Sequence, residues 1–285
     1  EVHLVLWEND LLGDRPLAEL ERDVDVYRER GASRRAATAQ AVARAVEGTL
    51  ALRGARLDVA DPLLRDAVRL SRASGSALVE AYAMDRLAYL LTVRGRVDES
   101  MAVLGEAIIV AERATLRRHA LTRVHTTLAH NRLAAGAHYA AEDALREASE
   151  LLARHGECAV CHAHFRQELV RVTLLRGRVA EAEADAAELD ALALRRGGRG
   201  LTAAARIVRG RLLLHQGRNG EAAALFGEAV TAHGAVGARF DAARAAALAT
   251  RALRAEATPA SVALADEMAR RAADVLAPFG AVADE

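Results

Sequence analysis

Between Ser76 and Arg113 the apolar residues fall three and four apart, break off, and then resume. Leu87, Leu90 and Leu91 share a helical face with Ala83 and Met84 one turn earlier, which predicts an amphipathic helix over the first half. Gly95-Arg96 interrupts it, because glycine takes the left-handed conformation of a helix C-cap at little cost. The spacing returns with Val97, Met101, Leu104 and Ile108, opened by Asp98 and Glu99 and closed by Arg113, as a helix dipole favours. The segment reads as a helical hairpin.

That hairpin recurs. Turn glycines stand at Gly13, Gly54, Gly95, Gly136, Gly177 and Gly217, spaced by 41, 41, 41, 41 and 40 residues. A fixed period of this size marks a solenoid, one supersecondary unit stacked repeatedly. Small residues recur at set offsets from these glycines: Ala88, Ala129 and Gly210 before them, then Ala18, Ser100, Ala141, Ala182 and Ala222 just after, then Ala107, Ala148 and Ala229. They sit where two helix backbones must approach closely, with Leu104, Leu145 and Phe226 filling the space between. Two units depart from the pattern. Glu47 and Asp66 in the second, and Val170 and Leu189 in the fifth, occupy expected small positions.

Leu87-Ala88 and Leu128-Ala129, the Gly-Arg turns at 95–96, 177–178 and 217–218, and Ala107, Ala148 and Ala229 together resemble the tetratricopeptide repeat. The resemblance implies an all-α, right-handed superhelical solenoid of about seven antiparallel helical hairpins. Its units would span approximately 1–31, 32–74, 75–115, 116–156, 157–197, 198–237 and 238–280 of a single repeat domain, residues 1–285. A period of about 41 residues and an Ala/Arg-rich composition are similar to the repeat region of MalT-like, LuxR-type large transcriptional regulators of actinobacteria. In such regulators a nucleotide-binding module precedes the repeats and a helix-turn-helix follows. Glu1 falls inside the first expected helix, Thr258-Pro259 replaces a seventh turn glycine, and Pro278-Phe279-Gly280 ends the last helix. The expectation is therefore a fragment of a longer protein.

In tetratricopeptide proteins the first helices of successive units line a concave groove. Carrying those positions over gives Tyr82, Asp85 and Tyr89, then Arg123, Thr126 and His130, then His164, Gln167 and Arg171, and finally Arg211 with His215. The strip is aromatic at one end and rich in arginine further along. Arginine grips carboxylates bidentately and tyrosine offers rigid contact area, so the groove suits an acidic peptide, a protein or a small anionic effector.

Composition narrows the function classes. Basic and acidic residues balance at 39 each, which argues against direct nucleic-acid binding by this segment. Every basic residue is arginine; with no lysine there is no Walker A loop and no Schiff-base chemistry. Charged residues interrupt every apolar run before it could span a bilayer. With no signal peptide in view and only two cysteines, the expectation is a cytoplasmic, reducing location.

Cys158-Ala-Val-Cys161-His162 is the sharpest local motif. On a helix the three ligand-type residues fall at i, i+3 and i+4, with His155 as a candidate fourth ligand and His164 close by. The same two thiols also fit simple packing near a helix start, which is the favoured reading, with no cofactor. Arg195-Arg-Gly-Gly-Arg-Gly200 reads as a solvated connector and His125 as a core residue. No hydrolase, phosphate-loop or metalloprotease motif is present, so no enzymatic activity is expected. The sequence points to a non-catalytic interaction and effector-sensing module of a cytoplasmic transcriptional regulator. The alternatives are a passive homo-oligomerisation scaffold and a metal- or redox-responsive switch through Cys158, Cys161 and His162.

Overall fold

A computed structural model describes residues 2–34, 36–154 and 158–277. Fourteen α-helices and no strand occur among the described residues. They are α1 (Val2–Leu12), α2 (Leu17–Ser33), α3 (Ala37–Arg53), α4 (Leu57–Ser74), α5 (Ala77–Val93), α6 (Val97–Ala111) and α7 (Arg117–Ala134). The second half holds α8 (His138–Ala153), α9 (Ala159–Leu175), α10 (Val179–Arg196), α11 (Arg199–His215), α12 (Asn219–Ala235), α13 (Arg239–Glu256) and α14 (Pro259–Leu276). Each helix from α3 onward packs against its successor, giving the all-α solenoid of hairpins that the spacing predicts. Pro278, Phe279 and Gly280, the expected stop after α14, lie outside the described residues.

The turns explain the period. Gly95, Gly136, Gly177 and Gly217 adopt φ of 72°, 72°, 71° and 74°. In each turn the next amide reaches back to close a Schellman motif, as in Arg96 N–H to Leu91 O at 2.9 Å and Arg178 N–H to Thr173 O at 2.9 Å. Around these turns Ala88, Ala129, Ser100, Ala141, Ala182, Ala222, Ala107, Ala148 and Ala229 are buried, with Leu104, Leu145 and Phe226 wedged among them. A Cβ on Gly210 would stand 2.7 Å from the Phe226 ring, so that close approach requires glycine. Met101, expected on the buried stripe of α6, is exposed; Ser100, Leu104, Ala107 and Val110 carry that face.

The two irregular units resolve differently. In the second, the left-handed residue is Ala55 (φ 63°) and not Gly54, and Arg56 N–H closes the motif on Ala51 O at 2.7 Å. Counted from Ala55, Gly48, Ala60, Leu64 and Ala67 fall at the regular offsets, all buried, with a Gly48 Cβ position 2.7 Å from Leu64. Glu47 and Asp66 are thus one residue out of register and partly exposed. In the fifth unit the sizes are exchanged: Ala186 takes the place of the large residue and Leu189 that of the small one, both buried beside Val170.

The first unit breaks the pattern outright. Gly13 has no left-handed φ, Ala18 is exposed, and α1 does not pair closely with α2. The two meet through rings, the His3 and Tyr27 centroids lying 5.1 Å from one another. α1 leans instead on α3, α9 and α11. It is not the outermost rung of the stack but a segment laid across its inner face.

The stack also curls round to meet itself. Arg53 at the end of α3 bonds Asp241 at the start of α13 at 2.7 Å, Leu17 N–H bonds Val236 O at 2.8 Å, and Arg244 of α13 bonds the Tyr89 hydroxyl of α5. Phe240 and Ala243 share a buried cluster with Leu52, Leu90 and Leu91. The interior groove becomes a chamber.

Replacing Ala55 by glycine should raise stability by about 1 kcal/mol, because it relieves a left-handed alanine. Gly210→Ala should lower stability by about 1–3 kcal/mol through overpacking against Phe226. Urea unfolding of both variants checks the pair of signs.

Candidate functional site

The odd-numbered helices α3 to α13 face inward and enclose a central cavity of about 140 Å³. Tyr82, Tyr89, Arg123, Thr126, His130, His164, Gln167, Arg171 and Arg211 all line it. Asp85 stands just behind that wall, fully buried, and His215 is exposed outside it. The resemblance thus brings together the residues it nominates, but the groove they line is not empty. Glu8, Leu11 and Leu12 of α1 form part of the same lining.

Arg123 is the hub. Its guanidinium lies 2.6 Å from Glu8 Oε1 and 3.1 Å from Asp85 Oδ2, and its central carbon sits over the Tyr82 ring, 5.2 Å from the centroid. The Glu8 and Arg123 side chains are 2% and 4% exposed, so this is a buried pair rather than a surface one. Burial opposes the Arg123 charge, and Glu8 with Asp85 outweighs it, raising the pKa further. Asp85 is desolvated as well, yet Arg86 at 2.6 Å, Arg123 and the Thr127 hydroxyl, donating at 2.5 Å, pull its carboxyl down to about 2. Arg123 is therefore committed to acids of its own chain.

Across the chamber Glu168 accepts from Arg171 at 2.7 Å and pairs with His130 at 3.1 Å. Burial depresses the His130 pKa, with Glu168 opposing. His164 is pressed well below its ordinary value by burial, then by Arg123 and Arg86. Tyr89 stacks near His130, ring centroids 5.0 Å apart, between Arg86 and Arg244. Thr126 and Gln167 turn their donors back to their own helix, to Thr122 O and Ala163 O. Arg211 stands close to Arg171, Arg244 and Arg251; burial first, and then these like charges, push its pKa well down. In all, Arg53, Arg86, Arg123, Arg171, Arg211 and Arg244 face the cavity against Glu8, Glu168 and Asp241. With Asp85 behind the wall, bonded by Arg86 and Arg123, six guanidinium groups meet four carboxylates.

A second cluster sits where α7 and α9 begin. Cys158 caps α9, its sulfur accepting from Cys161 N–H at 3.4 Å. His119 Nδ1 lies 3.6 Å from Cys158 Sγ and 3.1 Å from Cys161 Sγ, while its Nε2 meets Glu8 Oε2 at 2.8 Å. Burial opposes a charged His119, but its bonds to Cys158 and Glu8 win and raise it to about 9. Cys158 is lowered by its contacts with Cys161 and His119. His162, expected beside the two thiols, is not in this group; His119 takes its place. His155 lies outside the described residues.

Three contributions escape sequence reasoning. Glu8 joins both clusters from α1, although nothing at residues 1–12 marks it as a groove occupant. His119 lies 39 residues before Cys158, nearly one period, so stacking alone brings it there. Arg195-Arg-Gly-Gly-Arg-Gly200 is more than a solvated connector. A Cβ on Gly198 would stand 2.6 Å from Leu12 O, and one on Gly200 2.9 Å from Leu12 Cα, so these glycines seat the end of α1. His125 is only half-buried, its pKa lowered by burial.

Glu8→Ala should cost about 3 kcal/mol by leaving Arg123 under-compensated in the interior. Hydrogen exchange should show residues 2–12 losing protection while α5 to α9 keep theirs. A pH dependence follows from His233, whose pKa burial depresses to about 4, with Asp241 opposing and Arg53 and Arg244 adding to the depression. The unfolded chain binds this proton near pH 6.5 and the folded one only near 4, so stability should fall as pH drops through that window. The loss by pH 4 is on the order of 3 kcal/mol, and His233→Gln should flatten the profile in thermal melts.

No protein-family model matches the chain, and no curated protein matches it either. Among solved structures, it is similar to the crystal structure of BtubC (BKLC) from P. vanneervenii, with a TM-score of 0.52 and 18% identity over 76% of this chain and 87% of that one. At that identity the likeness speaks for the fold alone. No described helix is long and apolar enough to cross a membrane. The chain is an all-helical repeat protein whose inner face is a charged, partly self-filled chamber.

Proposed function

We propose that the chain is a non-catalytic sensing module that binds a small anionic effector in its central chamber. The observation that carries this reading is the surplus of arginine over carboxylate around the cavity, where six arginines line the wall against Glu8, Glu168 and Asp241, with Asp85 behind it. Holding like charges together in a desolvated space is unfavourable, and an anion bound between them removes that cost. Guanidinium forks suit a carboxylate or phosphate in particular.

The docked α1 supports the same chemistry. Its Glu8 is an acid presented to Arg123 on a helix laid across the inner face. An acidic segment of another protein could use the same seat if α1 withdrew. In the finer form of this reading, the chain is a tetratricopeptide-type module of a cytoplasmic, LuxR-type transcriptional regulator. Effector binding would change the curvature of the stack and so reach neighbouring domains. The turn motif and 41-residue spacing of the glycines support that assignment.

Thermal shift at constant ionic strength, with citrate, inorganic phosphate and glucose 6-phosphate against neutral glucose, tests the reading. At least one anion should raise the Tm while glucose does not, and Arg211→Gln should remove the shift. Equal shifts in Arg211→Gln and in the unaltered protein, or no shift with any of the anions, would reject it.

A further inference from the structure

We propose that His119, Cys158 and Cys161 form a binding site for a thiophilic divalent metal, Zn²⁺ by preference, with Glu8 as its outer-sphere carboxylate. The three ligand atoms lie within 4.8 Å of one another although they come from two helices and two successive hairpins. A tetrahedral zinc with bonds of about 2.3 Å to sulfur and 2.0–2.1 Å to nitrogen places sulfur and nitrogen about 3.6 Å apart. Cys158 Sγ and His119 Nδ1 already stand at 3.6 Å, and Cys161 Sγ, at 3.1 Å from the same nitrogen, has to move outward to admit an ion.

The surroundings match what a metal-bound imidazole needs. Glu8 Oε2 lies 2.8 Å from His119 Nε2, where it accepts the proton on that nitrogen, so that Nδ1 faces the two sulfurs and can ligate once its own proton has left. A carboxylate on the far nitrogen is the usual support of a zinc-bound histidine, fixing its tautomer and orientation. Charge balances as well. Zn²⁺ with two thiolates is neutral, and Glu8 is already offset by Arg123 at 2.6 Å. On binding, the metal displaces the protons held among His119 Nδ1 and the two sulfurs, which leave to solvent. An access path exists, since a surface cavity of about 610 Å³ between α1 and the start of α11 is lined by His119, Cys158 and Asn9. It leaves a fourth position for water or a small ligand.

Because Glu8 belongs to α1, the metal would tighten α1 against the inner face through His119. The site shares Glu8 with the chamber but takes none of its three ligands from the arginine-bearing wall, so either proposal can fail without the other.

Cobalt(II) titration of the reduced full chain is the test. One cobalt per chain should bind, with thiolate-to-metal charge-transfer bands and the intense d–d absorption of a tetrahedral site, and stoichiometric zinc should displace it. Cys161→Ser should lose those bands with its helical circular dichroism intact, whereas His162→Ala should keep them. Glu8→Gln should weaken binding roughly ten- to a hundredfold. In the unaltered protein, zinc should shield both thiols from a disulfide reagent, a readout that needs no variant. Charge-transfer bands that survive Cys161→Ser, a purely octahedral cobalt spectrum, or thiols equally reactive with and without zinc would overturn the site. Unchanged affinity in Glu8→Gln would overturn the role of α1.

Discussion

Alanine, serine and glycine at fixed offsets from each turn let neighbouring helices come closer than larger side chains would allow. Ser100, Ala141, Ala182 and Ala222 are all buried, and beyond Gly210 lies the Phe226 ring with no room for a methyl group. That closeness is repeated hairpin after hairpin, and it adds up to a curvature tight enough to return α13 to α3. Once the curve closes, the inner face loses its solvent. Charged side chains that an open groove would leave hydrated must then find partners within the protein. Asp85 with Arg86 and Arg123, Glu168 with Arg171 and His130, and Asp241 with Arg53 are the outcome. Small residues on one side of each helix thus oblige the ion pairs on the other.

α1 belongs to the same logic. Arg123 faces Asp85 on one side and would otherwise face the cavity on the other, and Glu8 supplies the second acid. The same carboxylate turns His119 toward two cysteines, so one side chain on an 11-residue helix serves two clusters. This helix has little amphipathic character, and its burial comes from where it lies rather than from a pronounced apolar stripe. Leu4 is buried in the main core and Leu12 rests on Gly198 and Gly200.

These particulars show what a chain can reveal unaided. The turn glycines and the small residues around Gly95, Gly136 and Gly217 are local, repeated signals, so the helix pairs and the inward-facing positions were readable from them. The second unit misled because its pivot is an alanine. Gly54 keeps the period and Ala55 takes the left-handed turn, so every offset shifts by one. The cluster of His119, Cys158 and Cys161 was visible in part, as Cys158 and Cys161 are close in sequence. His119 is not, and only the stacking of α7 on α9 joins it to them. Closure of the curve and the docking of α1 rest on contacts such as Arg53 with Asp241, 188 residues apart, which no local pattern encodes.

The meeting of α3 and α13 sets this molecule apart from an open-ended array in one respect. An open array can gain or lose a hairpin and keep every remaining junction, since each rung touches only its neighbours. Here an inserted or deleted rung would carry Asp241 away from Arg53 and Phe240 away from Leu52, and would expose both flanks of the seam. The number of rungs between α3 and α13 is therefore fixed by the seam that joins them.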